Sequence, residues 1–491
     1  MKFVPFFTSK SILHQQRCKI HMSSLYRPVT VTPPPPKAAM EKASGGTKDE
    51  QESLSKSLKL LIVNGIIGPS SCIGAYHLLP IGLKAMEKLS QLVDNHMLMA
   101  NCQKIQMPIL TSASLWKTTG RLEECKPELM RVIDRHSKEF LLSPTHEEAI
   151  CDLIKNPSLS YKQLPQRLYQ ITEKFRDEKR PRFGLLRGRQ FLMKDLYTFD
   201  ANLEAAEQTY SEINEVYSKL LNSLGLKWIQ ALGSTGTIGG HKSHEFHVLS
   251  EIGEDSILHC SSCNEVFNAD LLQLGIQKED KLKATASGSG TVSSLLSQSI
   301  PKCINCGSAT LSSSKCVEVG HSFLLGTKYT KPLAAIYINK ENKKIPLEMG
   351  CYGLGVSRLL AASVEVKSSS DEIRWPLRIA PYLVSIIPPK QGSKEDPLGT
   401  QLAVQIYEAL KKILPTDVIY DDRINMTIGK RVKDSKKLGI PFVVVCGQSV
   451  HDPLGALMEF HDFNADSVSL EYSDKISKYL YDVKSTIKQL L

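Results

Sequence analysis

One segment restricts this chain more than any other. Residues 169–199 read as two β-strands joined by a Gly/Pro-containing turn at 179–184. Side chains alternate along a strand, so Arg176 and Glu178 fall on one face. On the returning strand Arg187, Arg189 and Phe191 also share a face. Such a hairpin presents arginines, a carboxylate and an aromatic ring over a single surface. Burying that set against an apolar core is costly, so the face requires a partner. A nucleotide meets the requirement. Arginine forks match phosphate oxygens, a ring can stack on adenine, and a carboxylate can accept from an exocyclic amine. The alternative is a solvated hairpin crossed by ion pairs.

Three further segments carry chemistry. In Gly350-Cys351-Tyr352-Gly353-Leu354-Gly355-Val356-Ser357-Arg358, glycines precede a helix predicted over 356–364. Glycine lets backbone approach a ligand, and a helix start favours anions. Arg358 falls in the first turn. In Ser143-Pro144-Thr145-His146-Glu147-Glu148, the Thr145–Glu148 spacing is that of a capping box opening a helix. Cys260-x-x-Cys263 and Cys303-x-x-Cys306 have zinc-ribbon spacing within each pair, although the gap between the pairs is long. Four sulfur ligands would make a closed, structural site; the alternative is cysteines without metal.

The remaining pattern gives the organisation. Helices are predicted over 78–99 and 203–224, and short strands over 104–110 and 140–142. Residues 233–315 are poor in pattern and include a low-complexity stretch at 284–299. A composition change at 374–381 marks a boundary. Beyond it, strands at 382–387, 418–420 and 442–446 alternate with helices at 402–414 and 427–438, which predicts a small α/β domain. There Asp421-Asp422-Arg423 precedes Lys430, Lys433 and Lys437, which share one helical face; a solvated helix is the alternative.

Arg176-x-Glu178, a loop, then Arg187-x-x-x-Phe191 resembles motif 2 of class II aminoacyl-tRNA synthetases. The fuller run Lys174-Phe175-Arg176-Asp177-Glu178-Lys179-Arg180-Pro181-Arg182-Phe183-Gly184, with Phe191-Leu192-Met193-Lys194-Asp195, resembles the bacterial-type prolyl-tRNA synthetases. The likeness continues through Thr145-x-Glu147, Glu318-Val319-Gly320-His321-Ser322-Phe323 and the motif 3-like segment ending at Arg358. Pro108 resembles the motif 1 proline of the dimer interface. Together these matches span most of 67–374.

The resemblance implies an α+β catalytic domain on an antiparallel sheet at 57–375, followed by a small α/β anticodon-binding domain at 380–491. It implies ATP with magnesium, proline and tRNA(Pro) as partners, and a homodimer. Arg176 would meet the α-phosphate and the proline carboxylate. Glu178 and Phe191 would meet adenine, Arg187 and Arg358 the γ-phosphate, and Glu318 would stand on the ATP side. Arg176 and Arg358 would carry catalysis. Thr145 and Glu147 would hold the proline amine, with His321, Phe323 and Cys351 completing the pocket. A secondary ammonium needs a carboxylate and hydrogen-bond acceptors, which suits Thr145 and Glu147. Asp422, Arg423, Lys430 and Lys433 would touch the anticodon. Residues 258–310 would be a reduced insertion, holding the possible zinc knuckle and too short for a second hydrolytic domain that edits mischarged tRNA.

Two other functions compete. A synthetase-like binding protein without catalysis is opposed by the intact Arg176, Glu178, Phe191 and Arg358. A class IIa synthetase for another amino acid is opposed by Thr145, Glu147 and Cys351.

Composition agrees with a polyanionic partner: the 491 residues carry a formal net charge of +10. The first 40 residues include Lys2, Lys10, Arg17, Lys19, Arg27 and Lys37 but no Asp or Glu, as in mitochondrial transit peptides. Residues 1–56 are accordingly expected to be a transit peptide and disordered linker, addressing the chain to the matrix; a basic tail is the alternative. No stretch is long and apolar enough to predict a membrane span.

Overall fold

The computed structural model describes residues 20–27, 55–155, 159–272, 302–451 and 457–489. The low-complexity stretch at 284–299 and most of the basic N-terminal segment lie outside these.

Two helices lead into the first domain. α1 (Lys56–Val63) is capped by Ser55, whose hydroxyl accepts from Leu58 N. α2 (Pro80–Met99) opens on a proline, whose fixed φ suits the first helical position. Its Ala85, Met86, Leu89, Val93 and Met97 recur at helical spacing and are buried.

Nine strands follow: β1 (Gln103–Lys104), β2 (Gln166–Phe175), β3 (Gln190–Asp200), β4 (Trp228–Leu232), β5 (Lys242–Leu249), β6 (Asp255–Cys260), β7 (Val266–Asn268), β8 (Leu311–Gly326) and β9 (Glu348–Gly355). They form one sheet in the order β5-β4-β7-β6-β8-β9-β3-β2-β1, and β5 also pairs with β8. The pairings are antiparallel apart from β1–β2 and β4–β7. The sheet is the one expected for 57–375. Its glycine-rich segment, expected only to introduce a helix, is itself strand β9, because close neighbours require bare backbone. A Cβ on Gly350 would come within 2.5 Å of the Tyr352 hydroxyl and 2.7 Å of Thr198 Oγ1.

The longer helices that complete this half are α3 (Glu147–Ile154), α4 (Leu203–Ser223) and α5 (Val356–Lys367). α4 lies on β3, β8 and β9. It buries Tyr210, Ile213, Tyr217, Leu220 and Leu221 there, each worth about 1.5–3 kcal/mol of transfer free energy. α5 packs between β3 and the helices α1 and α2. This backing leaves the opposite side of β2, β3, β8 and β9 to carry polar residues.

The C-terminal domain holds β10 (Val384–Ile387), β11 (Val418–Tyr420), β12 (Phe442–Val445), β13 (Met458–Asp462) and β14 (Ser467–Glu471), in the order β11-β10-β12-β13-β14. Helices α6 (Asp396–Ile413), α7 (Ile428–Lys437) and α8 (Ser473–Gln489) surround it. β10 runs parallel to both β11 and β12, as strand–helix alternation requires. The two domains are joined by packing as well as by chain. Lys88 Nζ lies 2.7 Å from Asp417 Oδ1, and Trp375 Nε1 donates to Leu438 O at 2.9 Å.

Residues 20–27, within the expected transit peptide and linker, dock on the C-terminal domain. Tyr420 N donates to Ile20 O and Met22 N donates to Tyr420 O, both at 2.9 Å. Met22 is buried, and Arg27 Nη2 lies 2.7 Å from Asp434 Oδ2. The cause is the edge position of β11, whose backbone groups accept a short added strand.

Candidate active site

Two adjoining cavities, of about 400 and 260 Å³, open over β2, β3, β8 and β9. Arg176, Glu178, Arg187, Glu318 and Arg358 line both. The smaller one ends at Thr145, Glu147, Phe191, His321, Phe323 and Cys351. Glu147 and Cys351, 204 positions apart, thus meet in one place.

The closed end is organised around Glu147. Thr145 Oγ1 donates to Glu147 Oε1 at 2.7 Å and Cys351 Sγ donates to the same oxygen at 3.2 Å. Arg121 Nη1 reaches Glu147 Oε2 at 3.1 Å and Glu148 Oε1 at 3.0 Å. Arg121 is itself fully buried, with its guanidinium carbon 4.6 Å from the Trp116 ring. The capping-box alternative fails here. α3 has His146 at its N-cap without a side-chain cap bond, and Thr145 spends its hydroxyl on Glu147 instead.

One guanidinium faces two buried carboxylates, and it cannot neutralise both. Burial would raise Glu147, but Arg121, Thr145 and Cys351 outweigh it and hold the group below the usual carboxylate range. Burial and the neighbouring Glu147 charge push Glu148 up. A second cation in this end would complete the balance, and a substrate ammonium is such a cation.

Beneath this end lies a buried polar frame. His146 N donates to the Tyr197 hydroxyl at 2.8 Å, and Tyr197 donates to Asp195 Oδ2 at 3.0 Å. Lys174 Nζ lies 2.8 Å from both Asp195 Oδ1 and His146 Nδ1. His146 Nε2 lies 3.0 Å from Pro108 O. Pro108 is therefore locked to the segment bearing Thr145. Such frames are rigid when every member is satisfied.

The nucleotide end is differently charged. Arg176 follows the last residue of β2, and its guanidinium carbon lies 5.3 Å from the Phe191 ring centroid. Burial and the Arg358 charge both lower its affinity for a proton. Arg358, in the first turn of α5, donates through Nε to Leu186 O at 2.9 Å and through Nη1 to Glu318 O at 2.8 Å. Glu178 and Arg187 form an ion pair across the hairpin, at 2.9 Å from Nε to Oε2. Arg187 also pairs with Glu254, which sequence reasoning missed. Arg189 lines neither cavity. It turns away to Asp177 and to the Glu178 carbonyl.

His321 and Glu318 join the two ends. His321 Nδ1 lies 3.0 Å from Glu318 Oε1, and its ring stacks on Phe323 with centroids 3.9 Å apart. Its Nε2 is buried and has no hydrogen-bond partner among the described residues, which leaves it to a ligand. Burial would raise Glu318, but His321, Arg358 and His247 hold it down to about 2. Behind them His247 is buried against Glu245 and Cys316, at 2.8 and 3.2 Å. Burial opposes its charge, yet these two partners raise it to about 10.

Comparison with known proteins agrees with this geometry. The tRNA synthetase class II core domain (G, H, P, S and T) matches residues 130–367, and the anticodon binding domain matches residues 383–457. A probable mitochondrial proline--tRNA ligase of Rattus norvegicus is 46% identical over 403 residues, covering 81% of this chain and 79% of that protein. The Homo sapiens counterpart is 45% identical over 412 residues, with 83% and 81% covered. The chain belongs to the proline--tRNA ligases. A bacterial proline--tRNA ligase, from Sulfurimonas denitrificans, is 37% identical over 87% of this chain and 95% of its own length. Among solved structures, the Giardia lamblia prolyl-tRNA synthetase in complex with prolyl-adenylate aligns with a TM-score of 0.68 at 17% identity. It covers 89% of this chain and 80% of that one, and reports on the fold.

Within this proline--tRNA ligase, the residues that resemblance assigned to ATP and proline all meet at the two cavities. Those assigned to the anticodon divide. Lys430, Lys433 and Lys437 stand exposed on one face of α7, as their spacing requires. Arg423 is engaged at 2.7 Å with both Asp421 and Asp434. Asp422 accepts from Ser23 N at 3.0 Å and from the Ser23 hydroxyl. Residues 20–27 and α7 thus supply protein partners for these two residues. Arg121, Glu254 and His247 were missed. Arg121 and its carboxylates are 26 and 27 residues apart in sequence, with no spacing that would reveal the pairing.

Proposed function

We infer that the chain activates proline with ATP and transfers it to tRNA(Pro) in mitochondria, within the matrix. One observation carries this reading: a buried Glu147, paired with Arg121, closes a cavity whose other end is framed by Arg176 and Arg358. In the first step a proline carboxylate oxygen bonds to the α-phosphorus of ATP and pyrophosphate leaves. In the second, the terminal ribose oxygen of tRNA bonds to the prolyl carbonyl carbon and AMP leaves.

Each residue has a part in bringing these groups together. Glu147 and Thr145 hold the prolyl ammonium, and Cys351 packs beside them. Arg176 lies between the two ends and draws the carboxylate and the α-phosphate together against their mutual repulsion. Arg358 and Arg187 meet the outer phosphates, and Glu178 and Phe191 the adenine. Catalysis rests on orientation and charge, not on a side-chain nucleophile. Magnesium would lower the charge on the phosphates, and Glu318 and Asp255 would hold it. Asp255 is pushed up by burial and by the Glu318 charge, a condition that a hard divalent cation relieves.

Three further assignments accompany the reading. Two copies of the chain are expected to associate beside Pro108, where Leu110 and Ile133 are exposed apolar residues; light scattering tests this. Any targeting segment is expected to be removed ahead of Ile20, whose carbonyl accepts from Tyr420; N-terminal sequencing of the mature protein tests that. The described part of 258–310 holds strands of the main sheet, two cysteine turns and a helical turn at 270–272, and the whole interval is short for a second domain. Hydrolysis of preformed alanyl-tRNA(Pro) should accordingly stay at the spontaneous rate.

Amino-acid-dependent ATP–pyrophosphate exchange tests the main reading. Proline should support exchange, and threonine, glycine and alanine should support little. Exchange driven best by another amino acid would overturn it.

A further inference from the structure

Outside the residues that line the two cavities, two short turns are built alike. Cys260 and Cys263 are followed by Asn264, with φ of +59°. Cys303 and Cys306 are followed by Gly307, with φ of +72°. Asn264 N donates to Cys260 O, and Gly307 N donates to Cys303 O, both at 2.9 Å. Cys260 N donates to Glu265 O at 2.9 Å, and Cys303 N donates to Ser308 O at 2.7 Å. Two stretches separated by the long gap thus adopt the same conformation, residue for residue, and face one another.

Their sulfurs converge. All four Sγ atoms lie within 4.8 Å of one another. Across the turns, Cys260 and Cys306 are 3.6 Å apart, and so are Cys263 and Cys303. A disulfide needs about 2.05 Å, so these are not disulfides. Four sulfurs placed about 2.3 Å from a central ion at tetrahedral corners stand about 3.8 Å from each other, close to what is seen. Hydrogen-bond donors also point at the sulfurs. Asn305 N lies 3.4 Å from Cys303 Sγ, and Asn305 Nδ2 lies 3.8 Å from Cys263 Sγ. Thiolates accept such bonds.

We propose that Cys260, Cys263, Cys303 and Cys306 bind one structural Zn²⁺ that clamps the outer ends of β6 and β8. An all-sulfur tetrahedral set suits zinc or iron. Adenylation and acyl transfer move no electrons, so the metal without redox chemistry is the fitting one. Four protein ligands leave no open position, and the ion therefore serves architecture. β6 and β8 pair directly, with Cys260 opposite Leu311 and Asp255 opposite Cys316. At the other end of this ladder Asp255, and Glu318 just beyond it, line the nucleotide cavity. β7, which follows the first turn, ends at Asn268, whose Nδ2 donates to Glu245 Oε2 at 2.8 Å. The ion would hold the register of the strands that present these carboxylates. The proposal does not depend on the identity of the substrate.

Metal content decides it. The full chain, purified without chelator from cells supplied with zinc, should hold about one zinc ion, estimated from one four-cysteine set. Cys263→Ser and Cys306→Ser should each reduce this to background, whereas Cys72→Ser, at an exposed cysteine, should leave it unchanged. Variants that fail to fold do not weaken the test, because the natural chain supplies a second readout. Cys306 is exposed and Cys263 half-buried. Both should resist alkylation while Cys72 reacts, and should become reactive once a strong chelator is added, with a fall in Tm. Cobalt in place of zinc should give the intense visible bands of a tetrahedral thiolate site. A folded chain without metal, in which Cys306 alkylates as fast as Cys72, would overturn the proposal. So would a disulfide among the four, and iron at the site would overturn the choice of zinc.

Discussion

The two ends of the active site are built on opposite terms. At the proline end the charges are engaged within the protein, one carboxylate in excess: Arg121 with both Glu147 and Glu148, Lys174 with Asp195, Thr145 and Cys351 on Glu147. At the nucleotide end Arg176 has no carboxylate within 4.0 Å among the described residues. Arg358 comes no closer than 3.7 Å to Glu318 and otherwise donates to carbonyls. The difference follows from the ligands. A small amino acid offers little surface, so discrimination requires a pocket shaped and charged in advance. A polyphosphate brings several negative charges, so Arg176 and Arg358 can stay without a close carboxylate until it binds, while Arg187 is held by Glu178 and Glu254. Stability and function should therefore separate along the cavity.

The largest expected effect tests that separation. Arg176→Ala should lower pyrophosphate exchange at least 10²-fold, since a lost transition-state stabiliser costs about 3 kcal/mol or more. Its thermal midpoint should hold or rise, because a half-buried cation without a partner contributes nothing to folding. Near-normal exchange, or a large fall in Tm, would break the comparison.

Arg121→Met should do the reverse. It leaves Glu147 and Glu148 buried without their cation, which costs about 3–5 kcal/mol of stability. In protein that remains folded, KM for proline should rise while KM for ATP stays within a factor of about two, well under the tenfold worth of about 1.4 kcal/mol. Equal changes in both constants would show that the ends are not independent.

Cys351→Ala should be milder. It removes one weak donor from Glu147 Oε1, a loss of about 1 kcal/mol or several-fold in KM for proline. Steady-state kinetics with proline and with alanine measure it. A loss above about 10²-fold, near 3 kcal/mol, would mean that the thiol does more than pack and donate.

How much of this was legible depended on where the chemistry lies in the chain. Strand alternation put Arg176 with Glu178, and Arg187 with Phe191, on one face, and all four line the smaller cavity. It misplaced Arg189, because β2 ends at Phe175 and β3 starts at Gln190, so the loop between them does not alternate. The C-terminal alternation was readable through Phe442, where each apolar run is short and bounded. β13, β14 and α8 were not read from the sequence. β5 to β7 hid inside 233–315, because β5 and β6 pair with β8, far along the chain, and β7 with β6 and β4, which leaves no local period. Thr145 had two readings in sequence, and only the distance to Glu147 decided between them. Ile20 and Met22 gave no signal, since two apolar residues in a basic segment do not announce an edge strand.

The smallest effect concerns His247, which belongs to neither end. Its charge helps to hold Glu318 down on the nucleotide side, and its partner Glu245 lies 3.9 Å from His321 on the proline side. An ordinary histidine titrates near 6.5, and here Cys316 and Glu245 raise the value to about 10 against the pull of burial. Its contribution to stability is therefore complete below about pH 6.5 and is lost as pH rises through about 10. Lys194 has the opposite sign. Burial lowers it to about 7, so its cost to the fold disappears as pH climbs from there towards its ordinary 10.5. A single stability curve would mix the two. Comparing the natural chain with His247→Gln cancels Lys194, which both retain. The Tm difference between them should be greatest near pH 6.5 and shrink steadily towards pH 10. A difference that stays constant over that range would mean that His247 is neutral in the fold, and that Glu318 is held down by His321 and Arg358 alone.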